Sequence, residues 1–150
     1  MPHSLTAIRI HAVFSTKGRE PLIDRALCPR LWAYMSGIVC ESGGVALAIG
    51  GTADHVHVLF SAPPTLAVAD VMRLVKTNSS RWVHEEFPTR ESFAWQAGYA
   101  AFSVSPSNVE RVRRYIADQE AHHRRRSFQE EYVAFLKTSG IAYDERYLWE

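Results

Sequence analysis

The sequence has few cysteines, almost no net charge and no long apolar run, and each shortage excludes a class of protein. Only two of its 150 residues are cysteine, which excludes the disulfide framework of small secreted domains. The uncharged stretch over 42–53 is glycine-rich and too short to span a bilayer. The net charge of +1 neither indicates nor excludes a nucleic-acid ligand, because local charge can differ from the total.

The overall composition is that of an ordinary folded protein. Because 47% of the residues are apolar and 11% are aromatic, disorder is excluded as the dominant state. The chain has no internal repeat, low-complexity tract or long linker, so we predict one domain over 1–150. The N-terminus lacks a basic, then apolar, then small-residue leader, and the expectation is therefore a cytoplasmic protein.

The charges are unevenly distributed along the chain, although their totals nearly cancel. Acidic residues collect after position 129, beginning with Glu130 and Glu131. A basic segment precedes them, with His122 and His123 inside it and the arginines Arg111, Arg113, Arg114, Arg124, Arg125 and Arg126. Segregated charge of this kind permits a local basic surface without requiring one.

Hydrophobic periodicity predicts an alternation of strands and helices. In chain order, the predicted elements are a strand over 5–16, a helix over 24–42, strands over 45–49 and 54–61, a helix over 66–87, a strand over 93–105, and helices over 107–124 and 128–137. This order indicates an α+β fold, a ferredoxin-like split βαβ domain. Its antiparallel sheet would carry helices on one face, followed by C-terminal helices.

Two histidines of the strand predicted over 54–61 can carry chemistry. Side chains alternate along a strand, so His55 and His57 share one face while Val56, Val58 and Phe60 share the other. The apolar set is expected to face the helices, which leaves the imidazoles on an uncovered face. Two neutral imidazoles at this spacing can bind one divalent cation. From the pattern alone, a chance pair of surface histidines remains the alternative.

Neighbouring residues exclude several other kinds of metal site. A hydrolase site of the H-x-H-x-D-H type needs an aspartate and a histidine where Leu59 and Phe60 stand. Two-histidine phosphoesterases need a second histidine followed two places later by serine or threonine, and this chain has none. The long helical patterns disagree with an all-β cupin. Cys28 and Cys40 lack the paired spacing of a structural zinc site.

Tyr115 and Gln119 are four residues apart on the helix predicted over 107–124, so they share a face. The functional interpretation is a tyrosine nucleophile beside a neutral oxygen ligand for a metal. The alternative is a surface tyrosine that packs beside neighbouring arginines. A free tyrosine has a pKa of about 10, so a nucleophile here would need help from a nearby cation.

Together these features resemble a known family, the HUH single-strand DNA transposases with one catalytic tyrosine, of the insertion-sequence-200-like and REP-associated type. The resemblance covers nearly the whole chain. It depends on residues 11–17 (HAVFSTK), 54–57 (DHVH) and 74–80 (LVKTNSS), and on Tyr115 with Gln119. Ala53 stands where a proline often precedes the histidine motif, and Asp118 where an asparagine often precedes the glutamine. Neither residue is an expected ligand.

The resemblance implies a function and the residues that perform it. His55, His57 and Gln119 would bind Mg²⁺ or Mn²⁺, and Tyr115 would be the nucleophile. The enzyme would cleave single-stranded DNA that carries hairpins, hold it through a 5′-phosphotyrosine bond and rejoin it in DNA transposition. Family members act as homodimers, and in many of them the tyrosine helix completes the partner's site. The sequence does not choose between cis and trans placement of Tyr115.

Other polar residues are weaker candidates. Contacts with DNA are expected from five cations, namely Lys76, Arg113, Arg114, Arg124 and Arg125. A solvated helix surface is the alternative for these residues. Asp54 either orients a ligand histidine or caps the hairpin turn.

Two other functions remain as alternatives. A catalytically inactive or domesticated protein derived from such a transposase could bind or process repeated hairpin elements. Such a binding protein would have no reason to keep His55, His57, Tyr115 and Gln119 together. The third hypothesis is a self-associating structural protein with incidental histidines.

Overall fold

A four-stranded antiparallel sheet lies at the centre of the structure. The computed structural model describes residues 4–119 and 126–149. Its strands are β1 (Arg9–Ser15), β2 (Val45–Thr52), β3 (His55–Ser61) and β4 (Ala100–Ser103). Their order across the sheet is β2-β3-β1-β4, and every neighbouring pair is antiparallel. The middle strands, β1 and β3, therefore have hydrogen-bonded neighbours on both edges.

Helices follow the strands in the predicted order. They are α1 (Cys28–Glu41), α2 (Val68–Glu86), α3 (Val109–Ala117) and α4 (Phe128–Thr138), with short 3-10 helices at Lys17–Arg19 and Pro106–Asn108. The strand-helix-strand-strand-helix-strand succession confirms the predicted α+β, ferredoxin-like split βαβ fold. None of the described helices is both long and apolar enough to cross a membrane.

The face of the sheet that α1 and α2 cover is the main apolar core. Alternation along β1 and β3 gives this face five side chains that are 0% exposed, namely Ala12, Phe14, Val56, Val58 and Phe60. Leu31 and Met35 of α1 and Val71 and Val75 of α2 pack against them. Full burial of one such large apolar side chain contributes about 1.5–3 kcal/mol, so this layer stabilises the placement of β3.

Several predicted element ends differ from those in the structure. The strand predicted over 93–105 is reduced to β4, because its earlier part makes only an isolated bridge between Trp95 and Thr16. The helix predicted over 66–87 begins at Val68, with Ala67 as its N-cap, and the Asp70 carboxylate accepts a hydrogen bond from the Ala67 backbone N–H. The helix predicted to run to 124 has Ala117 as the last residue of α3.

The face that carries the histidines is covered by α4, so the expectation of an uncovered face is wrong. Val13 and Ala100 of the sheet pack against α4 through Phe128, Tyr132 and Leu136. As a result, His55 and His57 are both 0% exposed. The expectation failed because alternation within β3 shows which residues share a face, but not what packs on that face from a distant part of the chain.

The approach of α3 to the sheet depends on a glycine of β2. A Cβ added at Gly50 would lie 2.7 Å from the carbonyl oxygen of Ile116 and 3.0 Å from its Cγ2. Ile116 is 2% exposed and directly follows Tyr115 in α3. The missing side chain at Gly50 therefore lets the tyrosine helix lie close to the sheet.

Gly50→Ala should destabilise the fold by about 1–3 kcal/mol, because the added methyl group must push α3 away from β2. Gly37→Ala in α1 is the matched control, since its Cβ would meet no described atom within 4 Å. Alanine is better than glycine inside a helix by about 1 kcal/mol, so the control should be as stable as the wild type or more stable. Urea unfolding followed by circular dichroism measures both variants. Equal stabilities would contradict the close approach.

Candidate active site

Three elements bring polar side chains together on the histidine face of the sheet. β3 supplies His55 and His57, α3 supplies Tyr115, and the first turn of α4 supplies Glu131. Gln119 lies two residues beyond the end of α3. The two histidines, the glutamine and the glutamate are each no more than 2% exposed. A single chain can therefore bring all five residues together.

Both ring nitrogens of His55 face defined partners. Its Nδ1 lies 2.8 Å from Asp54 Oδ1 and 3.0 Å from Thr52 Oγ1. Its Nε2 lies 3.0 Å from Gln119 Oε1, and the amide of Gln119 is oriented by donating to the Tyr115 carbonyl oxygen at 3.1 Å. Asp54 Oδ1 thus contacts His55, and it also accepts a hydrogen bond from the Thr52 hydroxyl within the hairpin turn at 3.1 Å. Both expected roles, orienting the histidine and capping the turn, agree with these contacts.

His57 is held between β1 and α4. Its Nδ1 lies 2.8 Å from His11 Nε2, and its Nε2 lies 2.9 Å from Glu131 Oε1. The His11 and His57 rings stack with centroids 5.0 Å apart. Burial lowers the pKa of His11 to about 3, and His57 acts in the same direction while Glu131 opposes it. His11 is therefore neutral at neutral pH.

Tyr115 packs against His57 and contacts both Glu131 and Gln119. Its ring packs edge-on to His57 with centroids 5.6 Å apart, and its hydroxyl makes hydrogen bonds with Glu131 and Gln119. Burial raises the pKa of Tyr115 well above its ordinary value, and Glu131 adds to the rise while Gln119 and Arg126 oppose it. At neutral pH the phenol is protonated, so nucleophilic attack requires that its proton be removed.

Aromatic side chains of α4 cover the site on the side away from the sheet. Phe128 stacks on His55 with centroids 4.2 Å apart, and Phe135 packs edge-on to His11 at 5.3 Å. Beside them, a cavity of about 220 Å³ is lined by Tyr115, Glu131 and Arg126, among other residues. The half-buried tyrosine is therefore reachable from this side, although the histidines below it are not exposed.

The side chains of two histidines and one glutamate form a group that could hold a metal ion. The nearest ligand atoms of His55, His57 and Glu131 all lie within 4.8 Å of one another. Gln119 Oε1 joins them through its contact with His55. The sequence predicted a shared site for His55, His57, Gln119 and Tyr115, but it indicated no role for His11 or Glu131.

The structure also locates the residues expected to contact DNA. Lys76 lies on α2, across the sheet from the histidines, and its Nζ donates to the carbonyl oxygens of Ala97 and Gly98 at 3.0 and 2.8 Å. Burial lowers its pKa to about 8. Arg113 and Arg114 are exposed on α3, whereas Arg124 and Arg125, with His122 and His123, lie outside the described residues.

His11 should make the stability of the protein depend on pH. Below its ordinary pKa of 6.5 the unfolded chain binds a proton at His11 that the folded chain does not bind until about pH 3. The free energy of unfolding should therefore fall as the pH falls from 6.5, by up to about 1.4 kcal/mol per pH unit. Glutamine keeps a polar group beside His57 but does not titrate. In His11→Gln the free energy of unfolding should therefore fall less with falling pH than in the wild type. Parallel pH profiles from urea unfolding of the two proteins would contradict this.

Comparisons with known proteins identify the family and the fold of this chain. Residues 4–119 match the family model described as Transposase IS200 like. A curated relative, ISDra2 transposase TnpA of Deinococcus radiodurans, is 23% identical over 117 residues, which cover 75% of this chain and 84% of that protein.

Two solved structures share the fold. One is a proposed transposase from Deinococcus radiodurans R1, with a TM-score of 0.64, 22% identity and coverage of 79% of this chain and 95% of that one. The other is a REP-associated tyrosine transposase bound to a REP hairpin, with a TM-score of 0.59, 10% identity and coverage of 82% and 72%. Because the family model spans the sheet and the first three helices, through Gln119, this chain belongs to the IS200-like transposase family.

Proposed function

We propose that this chain is a metal-dependent transposase that cleaves and rejoins single-stranded DNA through a 5′-phosphotyrosine bond. The observation that carries the proposal is the position of the Tyr115 hydroxyl. It makes a hydrogen bond with Gln119, and the Tyr115 ring packs on His57, inside one chain. A tyrosine oxygen beside a paired-imidazole site is the arrangement that nucleophilic attack on a metal-held phosphate needs.

The residues of the site fit a divalent cation, Mg²⁺ or Mn²⁺, held by His55, His57 and Gln119. Nε2 of His55 and Oε1 of Gln119 face each other at 3.0 Å, and both can donate an electron pair. Neighbouring ligands of an octahedral cation at about 2.1 Å lie about 3 Å apart. Asp54 at Nδ1 of His55 is the kind of outer contact that orients a metal-binding imidazole. When bound, the cation would polarise the scissile phosphate and stabilise the charge that develops on its oxygens.

The chemistry proposed for Tyr115 balances without a nucleotide cofactor. Its oxygen attacks phosphorus after the phenol has lost its proton, and a bond forms between the tyrosine and the 5′ side of the break. The bond from phosphorus to the 3′ oxygen breaks, and that oxygen takes up a proton and leaves as a 3′-hydroxyl. One phosphoester bond replaces another, so a 3′-hydroxyl of a second strand can reverse the step and rejoin the DNA.

The proposed substrate is single-stranded DNA with hairpin ends. A structural neighbour was solved with a REP hairpin, which supports this class of ligand. Arg113 and Arg114 are exposed on the same helix as Tyr115, where their charge can contact phosphates. A homodimer remains a prediction, as does a cytoplasmic location. Exchange of α3 between subunits is not needed to assemble the site, because Tyr115 reaches the histidines of its own chain.

A DNA-binding protein without catalysis is the second candidate. The observation that favours it is the closure of the site, since both histidines are 0% exposed beneath α4 and burial keeps Tyr115 protonated. Such a protein would bind hairpin DNA and form no covalent bond with it. Covalent capture of DNA therefore distinguishes the two functions.

Wild-type protein mixed with labelled single-stranded hairpin DNA and Mn²⁺ should form an adduct that survives denaturing electrophoresis. Tyr115→Phe should form none, because it has no nucleophilic oxygen. Tyr132→Phe is the matched control, since this buried tyrosine of α4 packs against Phe128 and Trp149 and should leave the adduct intact. An adduct that persists in Tyr115→Phe would refute the nucleophile assignment. Hairpin binding without any wild-type adduct would favour the second candidate.

Metal binding can be tested without DNA. His57→Ala should weaken Mn²⁺ binding in calorimetry by at least about tenfold, since even outer contacts of a metal site are worth that much. His84→Ala is the control, because His84 lies on α2 and contacts the Phe93 carbonyl oxygen. Equal Mn²⁺ affinities of the two variants would show that the histidines of β3 do not form a metal site.

A further inference from the structure

Resting on the metal-dependent function proposed above, we propose that Glu131 is an additional metal ligand. In this assignment α4 adds a carboxylate to the two imidazoles and the carboxamide, and thereby completes the site. The matched family segment ends at Gln119, so this ligand comes from a part of the chain beyond it.

The first argument is the position of the carboxylate. Glu131 Oε1 lies 2.9 Å from His57 Nε2, a separation typical of neighbouring ligands around one cation of about 2.1 Å bond length. The ligand atoms of His55, His57 and Glu131 all lie within 4.8 Å of one another. Since His11 contacts His57 at Nδ1, Nε2 is the nitrogen that His57 presents to the site, and Glu131 meets that nitrogen.

The second argument is how firmly α4 holds Glu131 in this place. Ser127 caps the helix by accepting a hydrogen bond from the Glu130 N–H at 3.2 Å, which fixes where the first turn begins. On either side of Glu131, Phe128 and Tyr132 pack into the apolar cluster on the histidine face. The carboxylate is therefore placed by a capped and packed helix, and it need not be drawn in from solvent.

The third argument is charge. Glu131 is 2% exposed, and a buried carboxylate is costly unless its charge is compensated. Its neighbours in the site include His57 and the Tyr115 hydroxyl, so the carboxylate faces the place where a cation held by the imidazoles would lie. A divalent cation would compensate the carboxylate and leave a net charge of +1 among the cation and its four ligands. A residual positive charge is favourable for an incoming phosphodiester.

Mn²⁺ affinity of the full chain, measured by calorimetry without DNA, tests the assignment. Glu131→Gln keeps the size and one oxygen of the side chain but removes its charge, so it should bind Mn²⁺ at least about tenfold more weakly than wild type. Glu130→Gln is the matched control on the same helix, because that carboxylate lies at the surface and contacts Ser127. It should bind Mn²⁺ as the wild type does.

Thermal melts supply a second readout. A cation that binds the folded chain raises the melting temperature by an amount that increases with the logarithm of its affinity. The rise caused by Mn²⁺ should therefore shrink in Glu131→Gln and persist in Glu130→Gln. If Glu131→Gln does not fold, Glu131→Asp withdraws the carboxylate by one methylene group and should show the same loss relative to Glu130→Asp.

The outcomes separate this inference from the proposed function. Wild-type Mn²⁺ affinity in a folded Glu131 variant, together with weak binding by His57→Ala, would overturn the ligand assignment and leave the proposed function standing. That result would make Glu131 a hydrogen-bonding partner of His57 and Tyr115 and not a metal ligand. Absence of Mn²⁺ binding by the wild type would overturn both.

Discussion

The antiparallel pairing of β1 with β3 in the middle of the sheet is the constraint on which the rest depends. Its register pairs Ala12 with Val58 and Val13 with His57. Successive side chains point to opposite faces, so one face becomes apolar core and the other carries the histidines. A slip of one residue would exchange the two sets and place imidazoles among the apolar residues under α1 and α2. The same hydrophobic layer that stabilises the fold therefore also fixes the site.

Burial beneath α4 gives this site its electrostatic character. The loss of water disfavours the charged form of every group, so it raises the pKa of the Tyr115 phenol and lowers that of the His11 imidazole. Both residues are consequently neutral at neutral pH. Buried polar atoms also need partners, and both ring nitrogens of His55 and His57 have one. Because His11 and Tyr115 are neutral, a bound cation or phosphate would add its own charge to this site.

Local periodicity predicted the order of the elements, the shared face of His55 and His57 and the shared side of Tyr115 and Gln119. It could not predict that α4 covers the histidines, because that depends on packing between residues far apart in the chain. The signals for the missed residues were nevertheless present. His11 alternates with Ile10 and Ala12, which places it on the histidine face. Glu131 falls within the apolar stripe of α4, where a carboxylate is unusual and indicates a buried role.

The close packing of α3 on β2 bears on how a dimer could be built. Ile116 is buried beside Gly50, and exposing such a side chain costs about 1.5–3 kcal/mol. If α3 moved to a partner subunit, it would lose this contact unless the partner offered the same groove. Two identical chains can offer it only when both exchange α3 at once, as in a domain swap. A one-sided transfer of Tyr115 is therefore disfavoured, and the alternatives are two complete cis sites or two reciprocal trans sites.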